Sequence, residues 1–156
     1  MRTFLVLVAA VGLAGCGLHK IPGTDIDDTS ETRAILDVVG KFRNAVESRN
    51  TQALIDLADE SFRDDGGSAS PDDDLEYKTL FTALPARFQR WDDVRLDLSV
   101  RRIELNPENT AARVTYSYTM SFRMPSLTQR TQSETDIKQM VLKRSGDKEW
   151  KIVSGI

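Results

Sequence analysis

The chain has 156 residues, 40% of them hydrophobic and 29% charged, with a formal net charge of −3 at pH 7. That length fits one domain able to bury a sizeable core, and the acidic balance argues against nucleic acid as a partner. A lone cysteine, Cys16, excludes an intramolecular disulfide, and a lone histidine, His19, leaves the rest of the chain without histidine-based acid–base or nucleophilic machinery.

Arg2 is the only charge before Cys16, and an apolar run extends from Phe4 to Leu13. A positive start, a short apolar stretch and small residues behind it make a secretory signal peptide. A spanning helix needs about 20 apolar residues, and this run has about half that. Leu13-Ala14-Gly15-Cys16 resembles the lipobox of bacterial lipoproteins. The resemblance implies that the Cys16 thiol receives a diacylglyceryl group. Cleavage between Gly15 and Cys16 follows, and then acylation of the new amino group. Small side chains before the cut leave the backbone accessible, and a thiol is a good nucleophile for alkylation. The alternative is ordinary secretion with a free thiol. Each buried acyl CH₂ contributes about 0.8 kcal/mol and one chain anchors only marginally, so two or three chains hold a small domain at a bilayer. Gly17 stands where an aspartate usually marks inner-membrane lipoproteins, which implies the outer membrane, with the protein facing the periplasm. Residues 1–15 are thus expected to be signal peptide and 16–28 a lipidated flexible tether. Residues 29–156 are expected to form one domain. His19 then reads as a solvated tether residue.

In the domain, Ile35, Val38, Val39, Phe42, Ala45 and Val46 recur at helical spacing, which predicts a first helix over 30–49. Asp28 and Glu31 are spaced as a capping box. After Asn50-Thr51, the residues Leu54, Ile55, Leu57, Ala58 and Phe62 predict a second helix, stopped by Gly66-Gly67. A third helix is expected to start at Ser70-Pro71 and run toward Trp91, kinked or divided at Pro85.

The period then changes to two. Val94, Leu96, Leu98 and Val100 alternate with polar residues, and the parity flips at Arg102, which predicts a strand with a β-bulge. Asn106-Pro107-Glu108-Asn109 predicts a turn. A long strand over 112–124 puts Ala112, Val114, Tyr116, Tyr118, Met120, Phe122 and Met124 on one side. Its other side carries Arg113, Thr115, Ser117, Thr119, Ser121 and Arg123. Further strands are expected over 135–144 and 149–154. Helices first and a strand meander afterwards predict an α+β fold, with the helices packed on one face of a curved, cone-like antiparallel sheet. The run Phe42-Arg43-Asn44-Ala45-Val46-Glu47-Ser48-Arg49-Asn50 into Leu54-Ile55-Asp56-Leu57, and the closing Glu149-Trp150-Lys151-Ile152, resemble the nuclear transport factor 2-like superfamily, including its SnoaL-like members. That resemblance implies the same cone-shaped fold over roughly residues 30–154. It does not choose a function, because such folds serve isomerases, cyclases, ligand binders and dimerisation modules.

Chemistry-bearing patterns are sparse. Gly66-Gly67-Ser68-Ala69-Ser70 lacks a nucleophile elbow. Asp72-Asp73-Asp74 lacks the alternating spacing of a calcium loop and suits a helix start, so neither metal nor cofactor is expected. No Asp or Glu falls on the apolar side of the 112–124 strand, so no catalytic residue is assigned. Trp91, Tyr116, Tyr118, Met120 and Phe122 either line a pocket for a small apolar ligand or fill the core. The face from Arg113 to Arg123 either is solvated or pairs with a second copy or an envelope protein. Acidic residues outnumber basic ones about two to one from Cys16 to Leu84, and the balance reverses afterwards. The result is either a dipolar molecule or scattered surface charge. The sequence reading is therefore a lipid-anchored envelope protein with a non-catalytic binding or interaction domain. The alternative is a SnoaL-like small-molecule isomerase or cyclase.

Overall fold

The structure is a computed structural model describing residues 19–65, 74–146 and 149–156. The expected signal peptide, Cys16, the expected Gly66–Ser70 loop and the expected helix start at Ser70-Pro71 lie outside those residues.

Residues 19–28, expected to be flexible tether, instead form a small hairpin. Lys20 bridges Asp27, the Ile21 N–H donates to the Ile26 carbonyl at 2.9 Å, and Gly23 turns the chain with φ 78°. The expectation missed that Ile21 and Ile26 flank a Pro-Gly turn, which lets Ile26 become buried. Helix α1 (Ser30–Glu47) buries the stripe from Ile35 to Val46. Its cap is Thr29 rather than Asp28. The Thr29 hydroxyl accepts the Thr32 N–H at 3.1 Å, and the Thr32 hydroxyl accepts the Thr29 N–H at 3.0 Å. Asp28 pairs with Arg33 instead.

Helix α2 (Thr51–Leu57) is capped by Asn50. It stops because Ala58 bridges Ile152 and the Asp59 N–H donates to the Ile152 carbonyl at 2.8 Å. Phe62, 1% exposed, therefore reaches the core from a loop. Two short strands, β1 (Arg63–Asp64) and β2 (Leu75–Glu76), pair antiparallel. Helix α3 (Tyr77–Phe88) runs through Pro85 without dividing. Proline there removes only the partner of the Phe81 carbonyl, and Phe81 is 50% exposed, so water can serve that oxygen.

Four strands follow: β3 (Asp92–Leu105), β4 (Ala111–Met124), β5 (Thr128–Ser145) and β6 (Glu149–Ser154). They form an antiparallel meander in the order β3-β4-β5-β6. The bulge falls where the parity flips: Val100 faces Tyr116 and Arg102 faces Thr115, leaving Arg101 as the extra residue. The sheet's inner face, from Val94 and Leu96 through Val114 to Met140, Leu142 and Ile152, joins the three helices in one hydrophobic cluster. This is the α+β arrangement expected.

A polar clasp holds the end of α2 to β5. The Lys143 ammonium lies 2.9 Å from an Asp59 oxygen that also accepts the Ser61 hydroxyl at 2.6 Å and the Ser61 N–H at 2.7 Å. Burial opposes charge on Asp59, but the hydrogen bonds from Ser61 and Lys143 outweigh it and hold the carboxyl at about 2, below its ordinary 3.8. The depressed value means that stability from this group is present above pH 3.8 and lost as the pH falls toward 2. Asp59→Asn should cost about 1–2 kcal/mol at neutral pH, because Lys143 is half-exposed and partly screened. It should cost far less near pH 2. Melting curves at both pH values check this, and an equal loss at both would contradict it.

Candidate functional site

Between the helices and the inner sheet face lies a cavity of about 310 Å³. Its helical wall comes from Phe42 and Val46 on α1, Leu54 on α2, and Leu84, Arg87 and Phe88 on α3. The sheet contributes Leu96, Tyr116, Tyr118, Met120, Glu134 and Lys138, and Leu75, Trp91 and Ile156 complete the lining. Of the five sequence-predicted ligand residues, Trp91, Tyr116, Tyr118 and Met120 thus line one space. Phe122 stands behind it, with its ring 5.0 Å from that of Trp91.

Trp91 sits at the corner between α3 and β3 rather than on the helix. Its N–H donates to the Phe88 carbonyl, and the Arg49 guanidinium donates to the Trp91 carbonyl at 2.5 Å. Glu47 accepts the Leu96 N–H at 3.0 Å, so the end of α1 ties down the start of β3 beside the cavity. The Ile156 wall is also pinned. Asp64 accepts the N–H groups of Gly155 and Ile156 at 2.6 and 3.1 Å, and Tyr116 donates its hydroxyl to the Gly155 carbonyl at 3.0 Å. Gly155 has φ 90°, and a Cβ there would lie 2.0 Å from the Gln139 carbonyl, so only glycine fits.

Both tyrosines stay protonated donors. Burial, helped by Asp64 and Asp136, pushes Tyr116 up to about 12. Burial also raises Tyr118, and its hydroxyl donates to Glu134 at 2.6 Å. Glu134 is the carboxylate that β4 lacks, supplied by the neighbouring strand. It is exposed, as is Arg87, whereas Lys138 is half-buried with its ammonium 5.8 Å from the Tyr118 ring centroid.

Sequence reasoning missed Glu134, Lys138 and Arg87. The third strand was expected to start at residue 135, but β5 begins at Thr128 because it matches nearly the whole length of β4. Counting back by twos from buried Met140 and Leu142 puts Lys138, Asp136 and Glu134 on the inner face, opposite Tyr116, Tyr118 and Met120. That alternation was the available signal. Among the described residues, no cluster of His, Cys, Asp and Glu is arranged to hold a metal.

No protein-family model and no curated protein matches the sequence. Solved structures do. A conserved protein from Planctomyces limnophilus superposes with a TM-score of 0.68 at 14% identity, over 80% of this chain and 92% of that one. A nuclear transport factor 2-like superfamily protein from Salmonella enterica serovar Typhimurium gives 0.67 at 11% identity, over 80% and 87%. The chain has the nuclear transport factor 2-like fold. A ketosteroid isomerase-like protein from Erwinia carotovora atroseptica shares this fold with a TM-score of 0.64 at 13% identity, over 83% and 98%. At such identities the likeness concerns architecture, not activity.

The outer face of this nuclear transport factor 2-like sheet carries the six candidate interface residues. Arg113, Thr115, Ser117, Thr119 and Ser121 lie opposite Val141, Gln139, Ile137, Thr135 and Ser133 of β5. Thr119 and Thr135 share a 3.1 Å hydrogen bond, and Ile137 is 56% exposed beside Ser117. Arg123, at the end of the row, pairs with Asp93.

Proposed function

We propose that this chain is a lipid-anchored lipoprotein of the bacterial envelope, held at the outer membrane and facing the periplasm. In this reading its nuclear transport factor 2-like domain binds a small apolar molecule without transforming it. The lipobox supports the anchor. The cavity of about 310 Å³ carries the binding reading, because a core filled by its own side chains would leave no such space. The tyrosine hydroxyls already spend their protons on protein acceptors, which favours holding over catalysis. The outer sheet face is the surface assigned to a second copy or an envelope partner, and nucleic acid has no role.

Met120 is half-buried in the cavity wall, so Met120→Trp should fill the space. Titrating an apolar fluorophore into a chain beginning at His19 should show at least about tenfold weaker binding for the variant, the loss of roughly 1.4 kcal/mol of contact. Its melting temperature should change little. Equal affinity would remove the cavity as the site.

The Tyr118–Glu134 pair favours one second reading, a SnoaL-like isomerase or cyclase. A carboxylate base beside a tyrosine donor can take a proton next to a carbonyl and stabilise the enolate. Under that reading the protein speeds deuterium exchange at the α-carbon of a bound ketone, and Glu134→Gln abolishes the exchange while binding persists.

A further inference from the structure

We infer that the molecule held in the cavity is an amphipathic anion: an apolar body with a carboxylate head received by Lys138 and Arg87. The inference rests on the binding reading and deepens it by naming the ligand class.

Three charged side chains line the cavity, and they are not equivalent. Glu134 is engaged, accepting a hydrogen bond from the Tyr118 hydroxyl at 2.6 Å. Lys138 contacts only the face of the Tyr118 ring, and Arg87 has no ion-pair or hydrogen-bond partner among the described residues. The two cations come from opposite walls, Arg87 from the last turn of α3 and Lys138 from β5, and share the lining of one space. Lys20, Arg33, Lys41, Arg49, Arg63, Arg123, Lys143 and Lys151 each meet a carboxylate, whereas the two cations in the cavity lining meet none among the described residues.

The rest of the lining selects for shape and apolarity. Phe42, Leu54, Leu84, Phe88 and Leu96 offer nothing to a polar body. A ligand with a cationic head would place like charge beside Arg87 and Lys138, and a neutral head would leave both without a counter-charge. A carboxylate satisfies both, and hydrogen bonds between ionised partners are about twice as strong as neutral ones. A second recess that Lys138 also lines is net acidic: Asp64, Asp65, Asp74, Glu76 and Asp136 face it against Arg63, which pairs with Glu76. An anionic head is therefore repelled from that recess and held on the cavity side, which gives the ligand one orientation.

The probes are decanoate, decanol and decyltrimethylammonium, which share one tail and differ in head charge. Each is titrated calorimetrically into the full chain in lipid nanodiscs, with empty nanodiscs subtracted. Decanoate should bind at least about tenfold more tightly than either of the others. The double variant Arg87→Gln/Lys138→Gln should shrink that preference below about threefold, by weakening decanoate far more than decanol. Both side chains reach solvent, and a melting curve checks that the double variant folds. Equal binding of decanol and decanoate, preference for the ammonium, or a preference that survives the double variant would overturn the anionic head while leaving the binding reading standing. Failure of all three probes to bind would overturn both.

Discussion

Tyr118→Asp should unfold the domain or cost it at least about 4 kcal/mol, a large share of the 5–15 kcal/mol that ordinarily holds a domain together. Tyr118 is 8% exposed, so its replacement both deletes a buried ring and brings a charge into apolar surroundings. The new carboxylate would also stand beside Glu134, which now accepts the Tyr118 hydroxyl, and opposite Asp136. Three acids side by side repel one another. Thr119→Asp, one residue along, points to the outer face and loses only the 3.1 Å hydrogen bond to Thr135. Its cost should stay below about 1 kcal/mol. Circular dichroism melting separates the two variants. Size-exclusion light scattering on Thr119→Asp then reads the outer face: loss of a dimer at unchanged stability marks it as an interface. If both variants fold normally, the register of β4 is wrong, and the cavity lining falls with it.

Cys16→Ser should abolish anchoring altogether. A hydroxyl is a far poorer nucleophile for alkylation than a thiol, so the diacylglyceryl group is not added. If cleavage at Gly15 requires that lipid, as the lipobox resemblance implies, the uncut precursor accumulates. The effect is all-or-none, because no other cysteine exists to take the lipid. Denaturing intact-mass measurement of the wild-type chain from membranes should give a mature chain starting at Cys16 with two or three acyl groups. A mature chain without acyl mass would sink the lipoprotein reading.

Period carried most of the fold. The α1 stripe, the two faces of β4 and the bulge at Arg101 all follow from which residues alternate, because burial of one face enforces spacing over the whole element. Ends were harder to read. The Thr29 cap, the late start of α3 at Tyr77 and the early start of β5 at Thr128 depend on what each end meets in space. The hairpin at residues 19–28 was missed because two isoleucines around a Pro-Gly turn carry no periodic signal. The apolar half of the cavity was legible from β4 alone. The polar half was not, since Glu134 and Lys138 enter by pairing with β4, and Arg87 by the placement of α3 over the sheet.

The central claim is that the cavity is occupied in the cell. Native mass spectrometry of the wild-type chain released from membranes tests it most directly, with Met120→Trp prepared alongside. The account predicts one small non-covalent adduct per chain, lost on denaturation and lost from the filled-cavity variant. A wild-type chain that carries no adduct, or an adduct that survives Met120→Trp, would contradict it.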